Sequence, residues 1–139
     1  MEWSRMFSIT KEVYFCYGHR LMNHAGKCRN IHGHSVKASI TVTQEFLDEQ
    51  GMVCDFADIR QCVDGFIDEF LDHNLLLHKE DSLIPYLIQN NERFLALDEH
   101  PTAEVLSKML YQHLKKAGFT VTDVTLWETA SASASYKEN

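Results

Sequence analysis

The chain has 139 residues, of which 45% are hydrophobic and 24% are charged, and its formal net charge is -7. These proportions are ordinary for a globular protein, so we expect one domain over residues 1–139, and the negative charge argues against binding to a nucleic-acid backbone. No apolar run is long enough to cross a bilayer and no secretory signal is recognisable at the N-terminus, so we expect a cytoplasmic protein without a membrane partner.

Alternating apolar and polar residues predict two strands in the first third of the chain. The first strand covers residues 5–17, and its apolar side chains stand at odd positions, with His19 continuing the same face just past its end. The second strand covers residues 32–46. Since side chains alternate between the two faces of a strand, His32 and His34 share the face that carries the apolar residues.

A hairpin and a helix are predicted next along the chain. Residues 47–51 are typical of a turn, and residues 52–54 would begin a returning strand. Asp55 or Asp58 then caps a helix of about four turns, whose apolar residues recur at helical spacing up to residue 71.

The second half of the chain is less regular. Residues 74–100 are predicted to form an irregular insert, with a short helix at 82–90 and a short extended segment at 93–97. A second long helix is predicted over residues 101–118, which begin with Pro-Thr and end with Gly. Residues 120–129 alternate as a final strand.

This order of elements predicts the α+β class, with two helices on one face of a four-stranded antiparallel sheet. Such a sheet leaves two edges exposed, which invites pairing with other chains. We therefore expect oligomers in which sheets join edge to edge into a closed ring.

The histidines of the second strand are the best candidates for metal binding. His32 and His34 lie two residues apart on one face and can bind a single ion, and His19 is the best third ligand. Two alternatives remain open at this point. The histidines could serve only packing and turn formation, or Cys28 could be a fourth ligand that closes a structural site.

Cys28 is also a candidate for chemistry of its own. Its neighbours Lys27 and Arg29 are cations, which favour a thiolate that can act as nucleophile or general base. The other three cysteines lie within strand or helix patterns and are interpreted as small core residues.

Further polar residues carry both functional and structural interpretations. Asp72 beside His73 can orient the imidazole, although a histidine at a helix end is also a dipole partner. Glu128 in a half-buried strand needs donors, supplied by a ligand with two N–H groups or by a neighbouring chain. Thr102 and Glu104 resemble a capping box at the start of the second long helix.

Taken together, these motifs resemble a known family. They are residues 15–21 (FCYGHRL), 27–34 (KCRNIHGH), 55–56 (DF), 71–73 (LDH), 101–104 (PTAE) and 127–129 (WET). In this order, and over residues 5–136, the chain resembles the 6-pyruvoyl-tetrahydropterin synthase and 6-carboxytetrahydropterin synthase family.

The resemblance implies a fold, an assembly and a cofactor. The fold is the tunnelling fold, or T-fold, in which a four-stranded antiparallel sheet carries two helices. Three chains close a barrel, and two trimers pair into a homohexamer with its sites between subunits. The implied cofactor is Zn(II), bound by His19, His32 and His34.

The resemblance also implies roles for the remaining motif residues. Cys28 would abstract a proton, and the pair Asp72 and His73 would relay protons. Glu128 would anchor the 2-amino and ring N–H edge of a pterin through two charge-assisted hydrogen bonds. Thr102 and Glu104 would lie near the pterin of a neighbouring subunit.

The implied substrate is 7,8-dihydroneopterin triphosphate, and two products are possible. One is 6-carboxy-5,6,7,8-tetrahydropterin, a queuosine precursor, formed with acetaldehyde and triphosphate; the other is 6-pyruvoyl-tetrahydropterin. Three residues separate Cys28 from His32, a spacing that favours the carboxy product. A non-catalytic pterin-binding or structural zinc relative is the remaining alternative. Tyr17-Gly18, where small residues such as Ala-Ala are common, and the long segment 74–100 depart from the family pattern.

Overall fold

The computed structural model describes residues 5–138, which form one sheet of six strands, three α-helices, a short 3₁₀ helix and a π-helical turn. The strands are β1 (Phe7–His19), β2 (His32–Gln44), β3 (Asn74–His78), β4 (Leu95–Leu97), β5 (Val121–Trp127) and β6 (Ser133–Tyr136). The helices are α1 (Phe56–Phe66), α2 (Ile84–Gln89) and α3 (Ala103–Lys116). The two long predicted strands and the two long predicted helices are thus confirmed.

The order of strands in the sheet is β4-β3-β1-β2-β5-β6. Strands β1, β2, β5 and β6 are antiparallel, whereas β3 pairs parallel with β1 and β4 pairs parallel with β3. The expected count of four strands is therefore wrong, although four antiparallel strands form the larger part of the sheet. Strands β3 and β4 come from residues 74–100, where the short helix and the extended segment were predicted but β3 was not, and β6 was not predicted either.

The predicted hairpin after β2 is also wrong in its second half. Asp48 does form the turn, since its Oδ1 accepts hydrogen bonds from the backbone N–H groups of Gln50 and Met52 at 2.9 and 3.0 Å. Residues 52–54 nevertheless form no strand, because Asp55 already begins α1 directly after them. The place beside β2 is taken by β5 instead.

Helix α1 begins at the first of its two predicted caps. The Oδ1 of Asp55 accepts a hydrogen bond from the N–H of Ala57 at 2.8 Å. The helix continues into a π-helical turn, Ile67–Leu71, and the chain then extends at Asp72. The buried side chains along both segments are Ile59, Val63, Ile67 and Leu71.

The core lies between the sheet and the helices α1 and α3. Its fully buried leucines, each worth about 2 kcal/mol of burial, come from both layers. They include Leu71, Leu76, Leu106, Leu110, Leu114 and Leu126. The opposite face of the sheet is open, as Tyr14 on β1 shows with 73% of its surface exposed. Within residues 5–138, no helix combines the length and the apolar character that spanning a membrane requires.

Candidate metal centre

Strands β1 and β2 bring three histidines together at one end of the sheet. His19 pairs directly with His32 across the strands, and His34 lies opposite Tyr17. The Nε2 atom of His19 lies 3.0 Å from that of His32 and 3.2 Å from that of His34. The sequence prediction of a shared face is therefore confirmed, and the three rings can place their nitrogens around one ion.

Hydrogen bonds to backbone carbonyls fix the tautomers of two of these rings. The Nδ1 of His19 lies 2.6 Å from the carbonyl oxygen of Pro101, and the Nδ1 of His32 lies 2.7 Å from that of Asn30. Because a carbonyl oxygen only accepts, each Nδ1 must carry the proton and each Nε2 of a neutral ring must carry a lone pair.

Two lone pairs that face each other at 3.0 Å repel unless a cation lies between them. Burial lowers the pKa of His19, which favours the neutral form that a metal requires. In metal-binding histidines, the ring nitrogen that does not bind the metal usually donates its N–H to a carbonyl or carboxylate oxygen, as Nδ1 does here. The donor set therefore fits a divalent transition metal such as zinc.

Cys28 does not join this cluster. It lies in a 3₁₀ helix, Lys27–Arg29, and its carbonyl oxygen accepts a hydrogen bond from the N–H of Leu21 at 2.8 Å. Among the described residues, the candidate metal ligands that converge here are three histidines without a thiol. The geometry thus favours a three-histidine site over a closed site with a fourth cysteine ligand.

Asp72 and His73 are attached to the backbone of Cys16 on β1. The Oδ1 of Asp72 accepts from the N–H of Cys16 at 3.0 Å, and the N–H of His73 donates to the carbonyl of Cys16 at 2.7 Å. The Oδ2 of Asp72 lies 2.8 Å from the Nδ1 of His73. The hydrogen bond from Cys16 is the main reason why the pKa of Asp72 lies below its usual range. The predicted orientation of the imidazole by the carboxylate is thus present.

The side chain of Cys16 lies on the opposite face of β1 from Tyr17 and His19. The interpretation of Cys16 as a core residue is therefore wrong, since its even position places the thiol among the polar residues of the open face. Cys54 and Cys62 do pack against the core.

A cleft of about 920 Å³ lies at the end of the sheet that carries the histidine cluster, and it is bordered by His32, His34 and His73.

Two glycines shape the floor of that cleft. Gly18 and Gly33 pair with each other across β1 and β2 and have no side chains on the open face. A Cβ added to Gly33 would lie 3.1 Å from the carbonyl oxygen of Tyr17, which is tighter than ordinary contact. The cleft therefore connects the histidine cluster with His73 around the end of the sheet.

The insert 74–100, which was irregular in sequence, supports the candidate site. The guanidinium of Arg93 donates to the carbonyl oxygens of Glu69 and Asp72 at 2.9 and 3.1 Å, closing the end of the π-helical turn. The buried Asp81 forms a two-pronged ion pair with Arg20, the residue after His19. The contact of Arg93 holds the segment that leads to His73, and the ion pair of Arg20 holds the segment that follows His19.

Glu128 finds its hydrogen-bond donor within its own chain. Its Oε1 accepts from the hydroxyl of the buried Tyr17 at 3.0 Å, and its Oε2 lies 3.8 Å from the Nε2 of His34. Burial, followed by the charge of Glu128, raises the pKa of the Tyr17 phenol. Sequence reasoning missed this pair, although the parity of Tyr17 already placed it on the face of His19.

The predicted capping box at the start of α3 is only half formed. The Oγ1 of Thr102 accepts from the N–H of Val105 at 3.2 Å and so caps the helix. Because Thr102 is the cap, Glu104 is the second helical residue rather than the third and cannot complete the box. Glu104 is exposed on the first turn of α3.

We expect Tyr17→Phe to lower the free energy of unfolding by about 1–3 kcal/mol, because a partly buried carboxylate loses its donor. Chemical denaturation monitored by circular dichroism measures the change. Tyr14→Phe is the matched control, since Tyr14 lies on the same strand with 73% of its surface exposed. Equal effects of the two variants would contradict a specific contribution of the bond between Tyr17 and Glu128.

Comparisons with known proteins place the chain in one family. The family model described as 6-pyruvoyl tetrahydropterin synthase matches residues 8–139. The chain is 34% identical to the 6-carboxy-5,6,7,8-tetrahydropterin synthase of Rickettsia bellii over 131 residues, covering 89% of this chain and 95% of that protein. It is 39% identical to the same-named protein of Aquifex aeolicus over 125 residues, covering 81% and 76%.

Solved structures share the fold. An uncharacterized protein from Wolinella succinogenes superposes with a TM-score of 0.82 at 25% identity, covering 98% of this chain and all of that one. The 6-pyruvoyl tetrahydropterin synthase of Caenorhabditis elegans superposes with a TM-score of 0.71 at 20% identity, covering both chains fully. The expected tunnelling fold is confirmed, with six strands in place of four.

Proposed function

The chain belongs to the 6-pyruvoyl tetrahydropterin synthase family, and from this premise and its histidine cluster we propose that it is a zinc-dependent 6-carboxy-5,6,7,8-tetrahydropterin synthase. The proposed reaction converts 7,8-dihydroneopterin triphosphate and one water molecule to 6-carboxytetrahydropterin, acetaldehyde and triphosphate, for queuosine or other deazapurines. The observation that carries the proposal is the convergence of three imidazole nitrogens. The names of the curated relatives and the spacing of Cys28 support the carboxy product over the pyruvoyl product.

The three histidines would hold the metal, and a separate contact positions each ring. The carbonyls of Pro101 and Asn30 orient His19 and His32, and strand pairing places His34 beside them. When bound, zinc would supply a Lewis acid that polarises oxygens on the side chain of the pterin.

Proton transfer is proposed for Cys28 and for the pair formed by Asp72 and His73. Asp72 keeps the proton of His73 on Nδ1, which leaves Nε2 able to accept one from a substrate. His73 borders the same cleft as His32 and His34, which supports its action on a ligand bound there. Cys28 would act as the base that removes a proton next to the polarised oxygen.

Glu128 is proposed to anchor the pterin ring. Its carboxylate is held by Tyr17 through one oxygen, and each carboxylate oxygen can accept more than one hydrogen bond. The planar edge of a pterin, with its 2-amino group and ring N–H, matches such an acceptor pair. Thr102 and Glu104 would face the pterin of a neighbouring subunit from the first turn of α3.

The enzyme is proposed to work as a homohexamer, a dimer of trimers in which the sheets close barrels. Cys28 is not among the residues that border the cleft of His73, which supports a site completed between chains. Within each chain, residues 1–139 would act as one domain, since the early strand β1 and the late strand β6 belong to one sheet.

Analysis of the products tests the proposal. The purified zinc-loaded protein is incubated with 7,8-dihydroneopterin triphosphate, and the pterins, acetaldehyde and triphosphate are quantified. We expect 6-carboxytetrahydropterin and acetaldehyde in equal amounts. Triphosphate with 6-pyruvoyl-tetrahydropterin and no acetaldehyde would assign the pyruvoyl reaction instead, and an unchanged substrate would indicate a non-catalytic relative.

A further inference from the structure

We propose that Cys16, Asp72 and His73 form a second metal site, which takes a thiophilic divalent cation such as excess Zn²⁺ or Cd²⁺ and thereby inhibits the enzyme. The binding site stands on the geometry of these three residues alone. Its inhibitory effect rests on the proposed function, because it requires that His73 relays protons during turnover.

The three side chains present a thiol, a carboxylate and an imidazole within ligand distance of one another. The Sγ of Cys16 lies 3.6 Å from the Nδ1 and 3.7 Å from the Nε2 of His73. The Oδ2 of Asp72 lies 2.8 Å from the same Nδ1, and one ligand atom from each residue lies within 4.8 Å of the other two. Sulfur and nitrogen donors together are the set that zinc and cadmium prefer.

These separations are close to those of a metal-bound set. Zinc bonds of about 2.3 Å to sulfur and about 2.0 Å to nitrogen, at a tetrahedral angle, place the two donors about 3.5 Å apart. The observed separation of Sγ and Nδ1 is 3.6 Å. The carboxylate and the ring must open by about 0.5 Å, because a cation would replace the proton that they now share. Since Sγ is almost equally far from both ring nitrogens, the exposed imidazole must also turn so that Nδ1 faces the thiol.

The charges balance when a divalent cation binds. The thiol of Cys16 releases its proton to solvent, and Asp72 is already a carboxylate because its pKa is low. The imidazole remains neutral, since its proton moves from Nδ1 to Nε2 when Nδ1 becomes a ligand. Two negative charges then match the two positive charges of the ion, and Nε2 can no longer accept a proton.

The ligands are held in place and remain accessible. The N–H of Cys16 donates to the carboxylate of Asp72 and its carbonyl accepts from the N–H of His73, so two hydrogen bonds hold the three residues together. The side chain of His73 is 77% exposed, and it borders a cavity of about 670 Å³ on the open face of the sheet. Lys37 also borders this cavity, but its ammonium pairs with Glu12 at 3.0 Å, which offsets its charge.

Titration of the zinc-loaded protein with Cd²⁺ tests the binding site. We expect a cadmium–thiolate charge-transfer band in the ultraviolet that saturates at one ion per chain. Cys16→Ser should abolish the band, whereas Cys28→Ser, the matched control, should keep it. Cadmium that displaces zinc from the three histidines gives no such band, because those ligands are nitrogens. A band that is absent from the unmodified protein, or that survives in Cys16→Ser, would overturn the site.

Turnover in the presence of excess Zn²⁺ tests the inhibitory effect. We expect Cys16→Ser to raise the Zn²⁺ concentration that halves turnover by more than about tenfold. The rate of each protein is expressed relative to its own rate without excess Zn²⁺. An unchanged inhibitory concentration would overturn the regulatory part. A protein without turnover would refute the proposed function while the cadmium band still decides the site. Zinc content of the variants confirms that the three-histidine centre is still loaded.

Discussion

His32→Ala is expected to release the metal and to abolish turnover while the chain remains folded. The variant loses one of the three imidazoles proposed to bind zinc, and the remaining two would not hold the ion in a defined geometry. Since a Lewis acid contributes several kcal/mol to the transition state, we expect turnover to fall by roughly 10³-fold or more. Elemental analysis measures the metal content, and circular dichroism with thermal unfolding measures the fold.

The core explains why the fold should survive this change. His32 lies at the start of β2 and is only partly buried, whereas the helices pack on Val36, Ala38 and Ile40 further along the strand. His24→Ala is the matched control, because His24 lies in the exposed loop before β2. Unfolding of His32→Ala upon loss of the metal would identify the centre as structural and would contradict an open catalytic site.

Cys28→Ala is expected to stop turnover without releasing the metal. A general base contributes about 10²–10⁴-fold to a proton transfer, so we expect a loss in that range. The metal should remain, because the three histidines converge without Cys28. Steady-state kinetics and zinc content measured on the same preparation check both parts.

Cys54→Ala is the control for the loss of a thiol, since Cys54 packs against the core and is not among the residues of the histidine cluster. We expect it to change stability more than turnover. Loss of zinc from Cys28→Ala would restore the alternative in which this cysteine is a fourth ligand. Full activity of Cys28→Ala would exclude the cysteine as the base.

The parts of the fold that follow from local pattern could be predicted. The alternation of residues 5–17 and 32–46 gave both central strands and placed His19 with His32 and His34. Residues 52–54 follow a turn, which predicts a returning strand. Asp55 caps α1 directly after them and leaves no room for that strand. Strand β3 was missed because Leu75–Leu77 is a short apolar run without alternation, and its parallel partner β1 lies far away in sequence.

Some contacts of the candidate site likewise follow from local pattern, and others depend on the order of strands in the sheet. His19 was found because parity alone assigns it to a face, and the pairing of β1 with β2 then brings it to His32. The contact between Tyr17 and Glu128 spans 111 positions and depends on the order of strands in the sheet. Parity places Cys16 on the open face, whereas the general preference of cysteine for the core predicts the opposite.

The alternation along β1 limits how this chain can change by insertion and deletion. The strand carries Cys16 on one face and Tyr17 and His19 on the other. Loss or gain of one residue between Val13 and Cys16 would exchange the two faces for every position that follows in the pairing with β2. The side chains of Tyr17 and His19 would then leave the core face together. We therefore expect related chains to differ along this strand by substitution rather than by insertion or deletion of a single residue.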